Sequence, residues 1–321
     1  MNRADWCYVS GWVSAQWERF LRRADFLMLL RAAADERRAR LRMTLLYEAS
    51  PPVEPTAESV MRQFAAAVRR VAYLSPNPRL ADLFLQSGEW EEFRRVAKVM
   101  VGRTAPVGSE VSIPERLRAI WSGAAGEPAL RPFVLAASVI ARNAPRDGEC
   151  EAWVDRVVDA HEIAALVSVA DDLLSDVLRE WVGTWARQRA AVALFRARKL
   201  GWNVPDFWPH WQRVGFDDPL LAAVALGPDS ELPAALRGLG WREPEKALAE
   251  PEPAVHLGRQ MEAQVEALAS AARGIPFGPE PVFAFLWVLR REALDLRLVL
   301  SAVGAGMSEE SVAAVLRATH D

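Results

Sequence analysis

The sequence predicts an all-α protein. Apolar residues recur at spacings of three and four along almost all of the 321 residues, which is the period of a helix that buries one face. No segment shows sustained alternation with β-branched and aromatic enrichment, so no strand is expected. Proline and glycine punctuate the chain between the periodic stretches, at Pro51, Pro52, Pro55, Pro76, Pro78, Pro106, Gly108, Pro251 and Pro253, as they do where helices are joined by turns.

Taken in order, helices are expected over Tyr8–Arg23, Asp25–Tyr47, Ala57–Leu74, Leu80–Val101, Ile113–Trp121 and Leu130–Ala141. Glu149–Leu200 follows in two or three pieces, then Ala254–Ala272, Pro281–Val303 and Glu309–Arg317. The stretch Trp202–Pro219 reads as short-turned and aromatic. The C-terminal segment is the most informative. Val282, Phe285, Leu289, Ala293, Leu296 and Leu300 keep the helical spacing, while Trp287, Val288, Leu294, Leu298 and Val299 fill most of the other faces. A helix apolar nearly all round is buried, yet this one carries Arg290, Arg291, Glu292, Asp295 and Arg297. Buried charges persist when paired, so Glu292, Asp295, Arg291 and Arg297 are expected to form a structural charge network. Gly304 and Gly306 end the helix, and Ser308 caps a short last one whose first turn holds Glu309 and Glu310.

Composition narrows the function classes. The formal charge is −3 with mixed signs throughout, which offers no basic stripe for nucleic acid. Cys7 and Cys150 lie far apart and match no ligand spacing, as in a reducing compartment. No signal peptide is read, because Arg3 and Asp5 interrupt the first residues and no apolar core segment follows. The longest apolar runs, Phe133–Ala141 and Val282–Leu289, fall well short of the roughly 20 residues that span a bilayer. A soluble, cytoplasmic protein is expected. Thirteen Trp against three Tyr are read as packing residues at helix edges. The cluster Trp202, Phe207, Trp208, Trp211 and Phe216 reads either as a partner interface or as the anchor of a short irregular segment to its own domain.

Few residues suggest chemistry. Asp171, Asp172 and Asp176 in DDLLSD place two carboxylates four apart on one helix face, a pattern able to hold magnesium. A Trp-rich helical chain with that motif resembles a class I terpene synthase, but the second metal motif is missing. The alternative is a solvated acidic face, with Arg179 three residues after Asp176. His161 and Glu162 open a zinc-protease pattern, but Ala165 stands where the second histidine belongs. His210, His256 and His320 have no partner at ligand spacing, and surface or capping roles are expected for them. No phosphate-binding G-x-x-x-x-G-K run and no nucleophile elbow occur. No cofactor or metal is expected.

The C-terminal residues Glu280, Pro281, Ala284, Leu286, Glu292, Leu296, Arg297, Gly306 and Glu309 resemble the C-terminal signature of the C-subunits of V/A-type ATP synthases, relatives of the d-subunits in vacuolar proton pumps. RARKLG, Arg196–Gly201, resembles the end of that family's middle helix. The resemblance implies three related helical units in a funnel-like, pseudo-threefold arrangement, here 1–107, 108–204 and 205–321. It also implies a non-catalytic part of the central stalk at the cytoplasmic face of the membrane. Its partners are the rotor shaft subunits and the membrane proteolipid ring. The family's central helices carry an acidic residue three before an Asn. Glu91 is followed by Arg94, the middle unit has Arg187 and Ala190, and only Glu292 with Asp295 approaches the pair, so the chain is read as a divergent member. Long helices closing at Gly102, Gly201 and Gly304 recur about every 100 residues. Two rivals stand beside this reading, a magnesium-dependent enzyme using Asp171, Asp172 and Asp176, and an unrelated helical scaffold.

Overall fold

The structure is a computed structural model that describes residues 3–48, 55–101, 115–123, 130–143, 150–172 and 175–316. Every regular element in the described residues is helical. The first five α-helices are α1 (Cys7–Gln16), α2 (Arg23–Arg31), α3 (Ala34–Arg42), α4 (Leu45–Glu48) and α5 (Ala57–Leu74). Then come α6 (Asp82–Val101), α7 (Glu115–Trp121), α8 (Arg131–Asn143), α9 (Cys150–Asp172), α10 (Asp176–Lys199) and α11 (Val204–Arg213). Three short helices follow, α12 (Pro219–Leu226), α13 (Leu232–Gly238) and α14 (Pro244–Ala249). The chain closes with α15 (Pro253–Ala272), α16 (Pro279–Ala305) and α17 (Glu309–Ala313).

The chain divides into two compact units, one of Met1–Leu85, Leu173–Leu178 and Glu266–Asp321, the other of Gln86–Asp172 and Arg179–Val265. The first is thus assembled from both ends of the sequence. These divisions differ from the three consecutive segments expected above, whose 107/108 boundary lies outside the described residues.

In unit 1, α16 is the central element, packed by α5, α1, α2 and α17. Its residues from Pro279 to Leu289 are all buried. Phe285 meets Trp12 edge-on at 5.8 Å and Trp17 at 6.1 Å, and lies 5.2 Å from Phe20. Phe283 lies 5.5 Å from Phe84. Aromatic edges against faces at such distances add to the burial term. Solvent reaches the second half of α16 along a stripe at Arg297, Ser301 and Gly304.

The expected single helix Asp25–Tyr47 is three helices. Arg37 explains the first break: its guanidinium donates to the carbonyls of Leu29 at 2.8 Å and Ala32 at 2.5 Å. Those are end carbonyls of α2 that continued helix would have satisfied. α5 matches its expected bounds, started by Thr56, whose hydroxyl accepts from Ser59 N–H.

Unit 2 is built around α6, α7, α8 and α9. Trp90 stacks on Phe133 at 4.0 Å, with Phe93, Ile140, Val154 and Val158 buried around them. The stretch expected to be loop-rich contains α11, a regular helix with Pro205 in its first turn and Pro209 inside it. Val204, Trp208 and Trp211 recur at four and three and are buried, so a helical stripe was present beneath the prolines. Pro209 forfeits only the bond to the carbonyl of Pro205, within the first turns. The helices α12, α13 and α14, which no periodic pattern announced, are short and each opens with proline in its first two positions, where its missing N–H costs nothing.

Candidate functional site

The segment with the strongest sequence signature is α16, and its polar residues tie remote parts of unit 1 together. At its entry, Gly278 has φ 138°, and a side chain there would collide with the Glu280 carboxylate. Only glycine is at ease in that backbone conformation. The Ser10 hydroxyl of α1 donates to the Gly278 carbonyl at 3.3 Å and accepts from Gly278 N–H at 3.4 Å. Glu280 accepts from the Ser175 hydroxyl at 2.8 Å, and that same hydroxyl accepts from Leu178 N–H at the start of α10. Glu292 accepts from the backbone N–H of Leu21 at 2.8 Å. Beyond α16, Arg31 forms a two-pronged ion pair with Glu309, and Arg23 donates to the Ala313 carbonyl at 2.7 Å.

Glu292 is 4 % exposed. Burial pushes its carboxyl up to about 7, with Leu21 N–H opposing and the nearby charges of Asp25 and Asp295 adding to the rise. Glu292 therefore exchanges its proton near neutrality. Arg291 and Asp295 are buried on the same helix, whereas Arg290 is half-buried with its guanidinium 5.5 Å from the Trp287 ring. Arg297 is exposed. Its expected place in the buried network is corrected: the faces of α16 are apolar all round only in the first half of the helix, and Arg297 sits on the solvent stripe of the second.

A second charge network lies in unit 2, where the sequence had suggested none. Asp155, Asp159 and Glu162 recur at four and three along α9 and face Arg94 and Lys98, four apart on α6. Arg94 reaches Asp155 at 3.2 Å, Asp159 at 2.7 Å and Glu162 at 3.7 Å. Lys98 reaches Asp155 at 2.8 Å, and Arg189 of α10 reaches Glu162 at 2.8 Å. Burial works against the charge of Arg94, but the carboxylates outweigh it and hold its pKa above the ordinary value. Burial raises Asp159 despite Arg94 beside it. The acidic stripe in WVDRVVDAHEIA was legible at helical spacing. Arg94 is the hub that answers it.

His210 was expected at the surface or at a cap, and His161 was weighed only as half of an incomplete zinc-protease pattern. Both are buried in unit 2, with ring centroids 5.2 Å apart and each Nε2 without a hydrogen-bond partner among the described residues. Burial lowers each to about 4; the His210 charge adds to the effect on His161, and the Arg213 charge to that on His210. Both rings are neutral at pH 7. His256 lies 3.9 Å from Glu250, and His320 falls outside the described residues.

The acidic run is divided between two helices. Asp172 ends α9 and Asp176 opens α10, with residues 173 and 174 outside the described set. Arg179 lies 3.5 Å from Asp171. Among the described residues no group of three or more His, Cys, Asp and Glu is placed to hold a metal ion. No described helix is long and apolar enough to cross a membrane.

Of the expected aromatic interface, Trp208 and Trp211 are buried and Trp202 is half-buried beneath the Arg156 guanidinium, 4.9 Å from its ring. Trp211 packs on Phe216 at 5.5 Å. The side chain of Phe207 lies outside the described residues. For Trp208 and Trp211 the arrangement is that of an anchor within unit 2, not an exposed contact. No protein-family model matches the chain, and no curated protein matches it.

Proposed function

We propose that this chain is a non-catalytic part of the central stalk of a V/A-type rotary ATPase, coupling the rotor shaft to the ion-translocating membrane ring. The observation that carries the proposal is the C-terminal signature itself, read with the position of its residues. Glu280 and Glu292, two of the residues that resemble the family, are buried acceptors serving Ser175 and Leu21, far away in sequence. A part that transmits torque needs elements that do not slide past one another. Buried hydrogen bonds between remote segments and interdigitated aromatics supply that stiffness. The funnel-like, pseudo-threefold arrangement, the location at the cytoplasmic face of the membrane and the shaft and ring as partners belong to the same proposal.

The test is a pull-down of the full chain with separately purified shaft subunits and membrane ring from the same organism. Retention of both at stoichiometric levels is expected. Retention of neither overturns the proposal.

A further inference from the structure

Unit 1 contains a cavity of about 390 Å³ whose walls include Trp12, Leu45, Phe285 and Leu289 and whose polar edge includes Arg19 and Arg70. Among the described residues no acidic one lines it. The size falls in the range of pockets that take a ligand or a single large side chain. Arg70 holds its guanidinium 5.5 Å from the Trp12 ring, and Arg19 Nη1 donates to Gln16 at 2.9 Å. Arg70 therefore rests against an aromatic face. Its neighbour Arg69 is exposed, and Tyr73, four residues further along the same helix, is 89 % exposed.

We infer that this cavity and the adjoining face of α5 form a docking surface for a partner protein segment that presents carboxylates around one bulky apolar side chain. The apolar side chain enters the hollow beside the Trp12–Phe285 pair, and the carboxylates meet Arg70 and Arg69. Charge complementarity selects the partner: Arg70 and Arg69 stand at an apolar hollow, and no acid is among its described lining residues. The cations and Tyr73 extend along α5 beyond the cavity, over more surface than a small carboxylate covers. Trp, Tyr and Arg are also the residues that most often dominate interface energy. A bidentate guanidinium–carboxylate pair gives such a contact its geometry.

The inference rests on the central-stalk reading for the choice of probe. The full chain is titrated against purified shaft subunits and, separately, against the ring, at low and high salt. Parent protein binding one of them, with affinity that falls as salt rises, is expected. The doubly reversed variant Arg69→Glu with Arg70→Glu is expected to lose at least tenfold in affinity. Its circular dichroism should be unchanged, because both positions are exposed. Ala67→Leu, which narrows the cavity without altering charge, is expected to weaken the same binding several-fold. Equal binding by the parent and the charge-reversed variant overturns the docking surface alone. Failure of the parent to bind either probe overturns the central-stalk reading and this inference with it.

Discussion

The two units bury charge in different ways. Unit 2 gathers opposite charges: Arg94, Lys98 and Arg189 are set among Asp155, Asp159 and Glu162, so the helices α6, α9 and α10 are held by a shared network. In unit 1, Glu292 is answered by the backbone N–H of Leu21, with the carboxylates of Asp25 and Asp295 nearby. The consequence is a difference in what opposes the cost of burial. Burial pushes Asp159 and Glu292 the same way, but Asp159 has the Arg94 guanidinium beside it to oppose the rise, whereas Glu292 has the Leu21 N–H and is eased by taking up a proton. Removing a partner therefore has opposite meanings in the two places. In one it strands charge, in the other it removes a group that was costly when ionised.

The largest expected loss from one substitution breaks the first network. Arg94→Ala takes the ion-pair partner from Asp159 and leaves Asp155 to Lys98 and Glu162 to Arg189 in a half-buried site, at a cost of roughly 2–3 kcal/mol. Urea denaturation followed by circular dichroism measures it. A midpoint unchanged from the parent would show the network to be dispensable.

The histidines sharpen the contrast through pH. Both are held near 4 in the folded chain, below their ordinary 6.5, so the unfolded chain binds protons first. Stability is fully present above pH 6.5 and is lost as pH falls toward 4, by about 3 kcal/mol per ring. Melting temperatures measured between pH 4 and 7 should fall with acidification in the parent. His161→Gln with His210→Gln should flatten that slope, whatever its absolute melting temperature. An unaltered slope would place the acid sensitivity elsewhere.

Glu292 acts with the opposite sign. Its folded value near 7 lies above its ordinary 4.5, so stability is lost as pH rises from 4.5 through 7, by about 3 kcal/mol. Glu292→Gln keeps an oxygen for Leu21 N–H and removes the titration. The variant should gain on the parent between pH 5 and pH 8, read as a growing difference in melting temperature. A constant difference across that range would show that Glu292 remains ionised throughout.

These contrasts indicate what the chain discloses before it is folded. The helical class and most of the long helices follow from spacing alone, because a buried face repeats every three or four residues whatever it packs against. The single helix expected across Asp25–Tyr47 failed because its interruption depends on Arg37 folding back onto the end carbonyls of α2, a contact with no periodic trace. Proline punctuation hid α11, although Val204, Trp208 and Trp211 kept the period. Glu292 was legible as a charge on an apolar helix. Its partner, Leu21 N–H, was not, since a backbone donor 271 residues away leaves no mark in composition. Arg297 was misplaced because apolar character was read along all of α16, while its second half has a solvent side.

The smallest effect follows from that last point. Arg297→Ala should change stability by no more than about 0.5 kcal/mol, as exposed substitutions generally do. Arg291→Ala, at a buried position of the same helix, should cost several times more. Thermal melts of the two variants side by side are the check, and equal losses would return Arg297 to the buried set.

The central claim is mechanical, and ATP-driven ion pumping in reconstituted rotary complexes tests it most directly. Complexes assembled without this chain should hydrolyse ATP without pumping, and adding the purified protein back should restore transport in proportion to its occupancy. Ion pumping that stays fully coupled in its absence would contradict the account.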